Sequence, residues 1–354
     1  MEDIKNIDTV DIDIEEPALL AIDQRLLPNE VKILRLKTKE EIYDAIKTLA
    51  VRGAPAIGVG AAIGMYVVAE QLAKDCKSED EFFAAYKEAS DYINSSRPTA
   101  VNLSWALKRM EECLDSRRGE SRDTQLLALR DEAITIKNED IEMCRKIGEY
   151  GVELIHPGDG ILTHCNAGRL ATVRYGTATS PIYQAHERGM DIHVYCDETR
   201  PLLQGARLTS YELFSAGIDT TLICDGMSAS LMRDGRIQMV IVGCDRVAAN
   251  GDVANKIGTS MVAAVAKYYG VPFYVAGPGS TIDMSTPTGR DIVIEQRDGS
   301  EVTDKWYERP MAPAGVGVYN PAFDVTDHEL IAGIITEKGI LRPPYTEALK
   351  KIFG

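Results

Sequence analysis

The chain has 354 residues, 45% of them hydrophobic and 26% charged, which is the balance of a globular protein whose length predicts two domains. A formal net charge of −15 leaves no broad basic face, so general nucleic-acid binding and docking on an anionic membrane are both excluded, while a small anionic ligand held by a few local cations is not. The seven Cys are scattered without a CxxC pair or a His group at zinc spacing, the pattern of reduced thiols in a cytoplasmic protein, and neither a signal peptide nor a membrane span is expected from the opening residues or from any apolar run.

Residues 1–36 alternate acidic and apolar positions, predicting short strands around 18–23 and 30–35 joined as a hairpin. Thr38-Lys39-Glu40-Glu41 has the form of a capping box, and Ile42, Ala45, Ile46 and Leu49 follow at helical spacing. The segment Val51-Arg52-Gly53-Ala54-Pro55 then leads into a helix over 56–68 that carries no ionisable group except Tyr66, and a helix apolar all round is a buried one. Arg52 therefore stands at the mouth of a buried helix whose first N–H groups favour an anion. A helix over 79–94 ends at Ser95-Ser96-Arg97-Pro98, with Thr99 placed to start the next. Two arginines at two helix starts suit a phosphate, because guanidinium forks match its oxygens bidentately. Residues 116–123 read as a solvated loop, and a long helix over 124–155 carries the chain toward a second domain.

From residue 156 onward the pattern becomes alternating strand and helix. Short apolar runs at 160–164, 191–196, 219–224, 239–243 and 271–276 are separated by helical stretches such as 170–188 and 255–269, the signature of a parallel sheet covered on both faces. The fold class expected is α/β: a Rossmann-like parallel-sheet C-terminal domain (156–354) after a smaller, mainly helical N-terminal domain (1–125), with 126–155 as the connecting helix. No G-x-G-x-x-G follows the first strand, so a dinucleotide is not indicated. The tail is expected to hold a capped helix over 326–331 and a rigid extended end at 340–345.

In such sheets ligands bind beyond the carboxyl ends of the strands. Four successive strands deliver polar residues there. The first runs into Cys165-Asn166-Ala167-Gly168, and an expected helix start beyond it would lower the thiol pKa. The second runs into 197–209, and the third into Asp225. The fourth meets Asp245 and then Asn250-Gly251-Asp252, with Asn255-Lys256 opening a helix. A carboxylate, an amide and a lysine in one short stretch have the chemistry of an acid/base group beside an anion clamp. His164 reads as a core histidine, and no second His or Ser motif supports a hydrolase triad. Cys196, Cys224 and Cys244 read as packing residues.

Together the motifs VRGAPAIG (51–58), SRPTAVNL (96–103), THCNAGRLAT (163–172), ETRPLLQGARLTSYEL (198–213), GCDRVAANGDVANKIGT (243–259) and YNPAFDVT (319–326) resemble the methylthioribose-1-phosphate isomerase family. That family shares a superfamily with ribose-1,5-bisphosphate isomerases and the α, β and δ regulatory subunits of the initiation-factor exchange complex. The resemblance implies Asp245 as proton donor and Cys165 as a second catalytic group. It also implies Arg52, Gly53, Ala54, Arg97, Gln204, Asn255 and Lys256 as substrate-binding positions; of these the residue pattern itself points to Arg52, Arg97, Asn255 and Lys256, and gives no signal for Gln204. The implied activity is conversion of 5-methylthioribose 1-phosphate to 5-methylthioribulose 1-phosphate in methionine salvage, by a homodimer without metal or other cofactor, because the redox change is internal to the sugar. Alternatives are isomerisation of 5-deoxyribose 1-phosphate or ribose 1,5-bisphosphate, and a non-catalytic regulatory role in translation initiation. Arg169 and Arg174 depart from the pattern of many bacterial members, and a second anion site for a bisphosphate is the role they suggest.

Overall fold

The computed structural model describes Ile4 and residues 6–97 and 100–354. The expected helix junction at Pro98-Thr99 lies outside the described residues. Two compact units emerge, one of residues 1–144 and 168–176, the other of residues 145–167 and 177–354. This division differs from the expected segments 1–125, 126–155 and 156–354 in two places. The long helix is shared between units, and a short segment just after Cys165 belongs with the N-terminal residues.

In the first unit, β1 (Val10–Asp13), β2 (Ala18–Ile22) and β3 (Ile33–Leu36) form an antiparallel sheet. The hairpin of β2 and β3 is the one the alternation predicts; β1 is additional. α1 (Lys39–Lys47) starts at the expected capping box: the Thr38 side chain accepts the Glu41 N–H and the Glu41 carboxylate accepts the Thr38 N–H. α2 (Ala54–Asp75) is longer than its charge-free run, and every residue from Ala56 to Ala69 is buried. By length and composition α2 could cross a membrane, but here it is the core helix of the unit. Its small residues explain how neighbours come so close. A Cβ on Gly58 would lie 3.0 Å from the Asn102 carbonyl oxygen, and one on Gly64 would lie 3.0 Å from Ile42. α3 (Glu79–Asn94), α4 (Val101–Asp115) and the first part of α5 (Arg122–Gly151) complete the layer, with Phe82, Tyr86, Leu103, Met110 and Leu129 in a common core.

The second unit holds a seven-stranded sheet. Its strands are β4 (Gly160–Thr163), β5 (His193–Asp197), β6 (Thr220–Ile223), β7 (Met239–Val242) and β10 (Phe273–Ala276), with β13 (Gly333–Thr336) and β14 (Gly339–Leu341) at the far edge. Helices α6 (Ser180–Glu187), α7 (Ser210–Ser215), α8 (Ser228–Arg233) and α9 (Thr259–Tyr269) alternate with them. The order β14-β13-β10-β7-β4-β5-β6 is parallel except for β14. β4, β7, β10 and β13 are buried at every residue, as strands covered on both faces must be, whereas edge strand β6 exposes Thr221 and Leu222.

A second sheet departs from expectation. β8 (Arg246–Ala248) and β9 (Val253–Lys256) form a hairpin flanked by β11 (Ile282–Asp283) and β12 (Phe323–Thr326). Asn255 and Lys256 thus end a strand and do not open a helix; α9 begins later, after Gly258 in the left-handed region. The hairpin wins because β9 gains backbone partners on both sides, from β8 just upstream and from β12 far downstream. Residues 323–326, ahead of the capped helix expected over 326–331, form β12, and that helix is reduced to a 3-10 turn at His328–Leu330, while the helix expected over 170–188 shrinks to α6. The tail at 340–345 is not an extended end but the close of β14 and the start of α11 (Tyr345–Phe353), which follows the short α10 (Ser300–Thr303). Tyr345 and Leu349 bury the apolar face of α11 against the sheet core.

Candidate active site

β4 ends in His164 and Cys165. Cys165 is buried and takes a left-handed φ of 65°, unusual for any side chain but glycine. Its N–H donates to Thr199 Oγ1 at 2.8 Å, and its carbonyl accepts from Thr209 Oγ1 at 2.6 Å. Asn166, also buried, donates to Thr209 Oγ1 at 3.1 Å and to Glu212 Oε2 at 3.3 Å. Thr199 itself has a φ of 65° and Leu203 one of 56°. The turn carrying them is anchored by Asp225, whose two oxygens accept the N–H groups of Thr199 (2.7 Å) and Arg200 (2.8 Å). Gly205 then opens a π-helical turn that ends at Thr209, a form frequent at functional sites. Gln204 precedes that turn. It is buried, and its Oε1 has no hydrogen-bond partner. A buried acceptor left open is costly in a finished core and is what a ligand donor would satisfy.

No helix begins beside Cys165. The chain passes instead through a short 3-10 turn at Arg169–Ala171 in the first unit. The expected help to the thiol from a helix N-terminus is therefore corrected: the residues that would have formed that helix spend their backbone groups elsewhere. Thr9 Oγ1 donates to the Arg169 carbonyl, Gln24 Nε2 to that of Leu170, and Val173 N–H to Asp140.

His164 is fully buried, as a core histidine would be, but it is not inert. Nδ1 lies 2.9 Å from Asp197 Oδ2 and Nε2 lies 2.9 Å from the Ile257 carbonyl oxygen. A carbonyl can only accept, so Nε2 carries a hydrogen and one further proton is shared between Nδ1 and Asp197. Burial pushes the imidazole down, but the bond and charge of Asp197, with Asp225 behind it, more than offset this and raise it. Burial likewise raises Asp197, to about 6. His164, Asp197 and Asp225 bring three metal-type donors within 4.8 Å of one another. Both ring nitrogens and both Asp225 oxygens are already committed to protein partners.

Asp245 follows β7. Its N–H donates to the Ala254 carbonyl at 2.9 Å and its side chain is exposed, so the strand end does not supply the expected desolvation. Gly243, just before it, packs on the loop after β4: a Cβ there would lie 2.4 Å from that of Ala167. The ends of β4 and β7, with Cys165 and Asp245 beyond them, are thereby adjacent. Asn255 is buried and donates to Thr259 Oγ1 at 3.1 Å. Lys256 Nζ donates to the Ala322 carbonyl at 2.9 Å and lies 4.5 Å from the centre of the Phe323 ring. The start of α9 is not an open anion site, because Asp324 accepts the N–H groups of Gly258 and Ser260. Asp252 is structural: it accepts from Asn250, Gly289 and His328. Of the cysteines read as packing residues, Cys196 is buried but Cys224 is exposed.

The remaining expected positions lie in the first unit. Gly53, at φ 90°, is the N-cap of α2 without a side-chain cap, and Ala54 is the first helical residue. Only glycine fits at 53, since a Cβ would lie 2.4 Å from Ala171 Cα. Arg52 and Arg97 are both half-buried. Arg174 pairs with Asp8 through Nε at 2.8 Å and Nη2 at 2.7 Å, and buried Arg169 donates to the Ile7 carbonyl. Arg169 is thus buried, while Arg174 is partly exposed with its guanidinium on Asp8. Sequence reasoning placed the 197–209 segment and Asp225 at the strand ends but gave Thr199, Thr209 and Asp225 no individual role. The only local signal was the density of polar residues after two apolar runs.

The initiation factor 2 subunit family model matches residues 50–343. A methylthioribose-1-phosphate isomerase from Symbiobacterium thermophilum is 56% identical over 349 residues, covering 99% of this chain and 97% of that one. A 5-deoxyribose 1-phosphate isomerase from Petrotoga mobilis is 56% identical over 335 residues, covering 95% and 96%. Among solved structures, the 5-methylthioribose 1-phosphate isomerase of Pyrococcus horikoshii superposes with a TM-score of 0.92 at 43% identity over 98% of this chain and 95% of that one. A chain described as subunit delta of translation initiation factor eIF-2B from A. fulgidus superposes at 0.88, also at 43% identity, over 98% and 100%.

Proposed function

The chain belongs to the initiation factor 2 subunit family, and on that premise we propose that it is an aldose–ketose isomerase converting 5-methylthioribose 1-phosphate into 5-methylthioribulose 1-phosphate, a step of methionine salvage. That it is an isomerase follows from relatives of that name at 54–56% identity along almost the whole chain. The observation that carries the site is Gln204. Its orphaned, buried oxygen follows β5, while Cys165 and Asp245 follow β4 and β7 of the same parallel sheet.

The anomeric phosphate blocks spontaneous ring opening, so the ring oxygen must be protonated. Asp245 is the donor in this reading. Substrate closing over its exposed carboxyl would supply the desolvation that raises a carboxylic acid toward neutrality. The C2 hydrogen then moves to C1 while the C2 hydroxyl becomes the carbonyl, so the sugar is its own oxidant and reductant. Cys165 either takes that hydrogen as a proton through an enediol or stabilises charge during a hydride shift. Arg52, Gly53, Ala54, Arg97, Gln204, Asn255 and Lys256 bind the sugar phosphate. We extend the proposal to a cytoplasmic homodimer, in keeping with seven free thiols; sedimentation equilibrium tests the dimer.

The relative from Petrotoga mobilis supports a second reading, 5-deoxyribose 1-phosphate as substrate. Ribose 1,5-bisphosphate is disfavoured by the commitment of Arg174 to Asp8. The test is an isomerase assay of the purified protein on the three sugars. The expected result is highest kcat/KM on the methylthio sugar, with Asp245→Asn and Cys165→Ser folded but inactive. Inactivity on all three, with binding to an initiation factor, would transfer the chain to a regulatory role. Loss of label from C2-deuterated substrate into water would exclude the hydride route.

A further inference from the structure

We propose that Thr199, Thr209 and Asp225 form a clamp that fixes the backbone of Cys165 in its left-handed conformation, making the three of them positioning residues for the isomerisation. The proposal rests on the reading of Cys165 as a group that acts on the sugar. Non-glycine residues occupy the left-handed region only where their surroundings over-determine it, and a β-branched residue there is rarer still. Cys165 and Thr199 both have φ of 65°, and they are bonded to each other: the Cys165 N–H donates to Thr199 Oγ1 at 2.8 Å. The same hydroxyl donates to the Asp197 carbonyl at 3.1 Å. On the other side of Cys165, Thr209 Oγ1 donates to the Cys165 carbonyl at 2.6 Å and accepts from Asn166 Nδ2 at 3.1 Å.

Each hydroxyl is thus used as donor and acceptor at once, which among buried side chains of this size only Ser and Thr can do. Both threonines are fully buried. Asp225 closes the arrangement from the end of β6, holding the two successive amides of Thr199 and Arg200 at 2.7 and 2.8 Å. Three strand ends therefore converge on one residue: β4 carries it, the turn after β5 grips it, and the turn after β6 holds the grip. A left-handed residue at a strand end takes its side chain out of the alternation of the pleat. With N–H and C=O both engaged, the main chain of Cys165 cannot swing. A reacting group must be held to within a fraction of an ångström, and this is the means by which a small side chain on a loop can be.

The test uses the full-length protein and three readouts: kcat and KM on 5-methylthioribose 1-phosphate, melting temperature, and the site-resolved rate of Cys165 alkylation by iodoacetamide, with exposed Cys224 as the internal reference. Thr209→Val and Thr199→Val keep volume and lose the hydroxyl. Asp225→Asn keeps one acceptor of two. Thr209→Ser and Thr199→Ser keep the bonds. The Val and Asn variants are expected to lose about tenfold or more in kcat with KM within about threefold, and to change the Cys165 alkylation rate by about threefold or more in protein that is folded at the assay temperature. The Ser variants stay within about threefold of the parent on all counts. Should Thr199→Val fail to fold, Thr209→Val and half-buried Asp225→Asn carry the test. Unchanged kcat and alkylation in those variants overturn the clamp. So does a fall in kcat that only tracks the unfolded fraction while folded protein is alkylated at the parental rate. A fully active Cys165→Ser would defeat the reading of the cysteine instead, and the alkylation rates would still report separately on whether the clamp holds it.

Discussion

Asp245 and Asp252 stand in one short stretch, and by residue type either is eligible as the acid. The structure separates them, and Asp252→Asn tests the separation. Asp252 is buried to 10% side-chain exposure. Its Oδ1 faces the His328 N–H at 2.9 Å and His328 Nδ1 at 2.7 Å, and its Oδ2 accepts from Asn250 Nδ2 at 2.8 Å and the Gly289 N–H at 3.0 Å. An amide accepts on one side only, so in either orientation two of these four contacts meet an NH2 group. At ~1–3 kcal/mol for each buried group left unsatisfied, and toward the low end because His328 is partly exposed, the substitution costs ~2–4 kcal/mol. The pKa gives a compatible figure. Burial raises the carboxyl, but the bonds from Asn250, His328 and Gly289 outweigh it and hold it at about 2. Relative to an ordinary Asp this is worth ~1–2 kcal/mol after solvent screening. Because the folded value is depressed, this stability is present above pH ~4 and is lost as pH falls through about 2. The assay is thermal and urea unfolding of parent and variant at pH 7, with a descending pH series. A fall in Tm of ~5–15 °C is expected for a unit of this size, with the gap between the two proteins narrowing below pH ~4. At 25 °C the folded variant should keep kcat within ~tenfold. A Tm shift under ~2 °C, or a larger loss of kcat at undiminished stability, would refute the assignment and return Asp252 to the chemistry.

Gly205→Ala should be among the most damaging single-methyl additions in the second unit, because its Cβ would lie 1.7 Å from the Asp197 carbonyl oxygen and 2.8 Å from Thr199 Oγ1. A loss of ~3 kcal/mol or more in urea unfolding, or no soluble protein, is expected, and parental stability would show that the turn relaxes freely. The proton shared by His164 and Asp197 should make the second unit lose stability with rising pH. Both groups are raised on folding, so the contribution is full in mild acid and disappears as pH climbs through their folded values. Melting from pH 6 to pH 9 should therefore fall more steeply in the parent than in His164→Gln, and parallel curves would refute the shared proton.

Local chemistry was legible in the sequence wherever the deciding contacts are local. Thr38 and Glu41 cap α1 through bonds within one turn, the uncharged run of α2 announces a core helix, and the apolar runs of β4, β7 and β10 announce strands covered on both faces. The polar residues at their ends, Cys165 and Asp245 among them, were visible for the same reason. Tertiary structure decided whatever depended on partners distant along the chain. Asn255 and Lys256 look like a helix start, yet they lie in a strand because β12, far downstream, pairs with it. Residues 168–176 look helical, yet Thr9, Gln24 and Asp140 take their backbone groups. The bonds from Thr199 and Thr209 to Cys165 span 34 and 44 residues and leave no periodicity to read. A sequence displays the interactions that a residue has with its own turn or pleat. Which carboxylate is consumed by the fold, as Asp252 is, and which is left exposed, as Asp245 is, depends on the groups that folding brings to each of them.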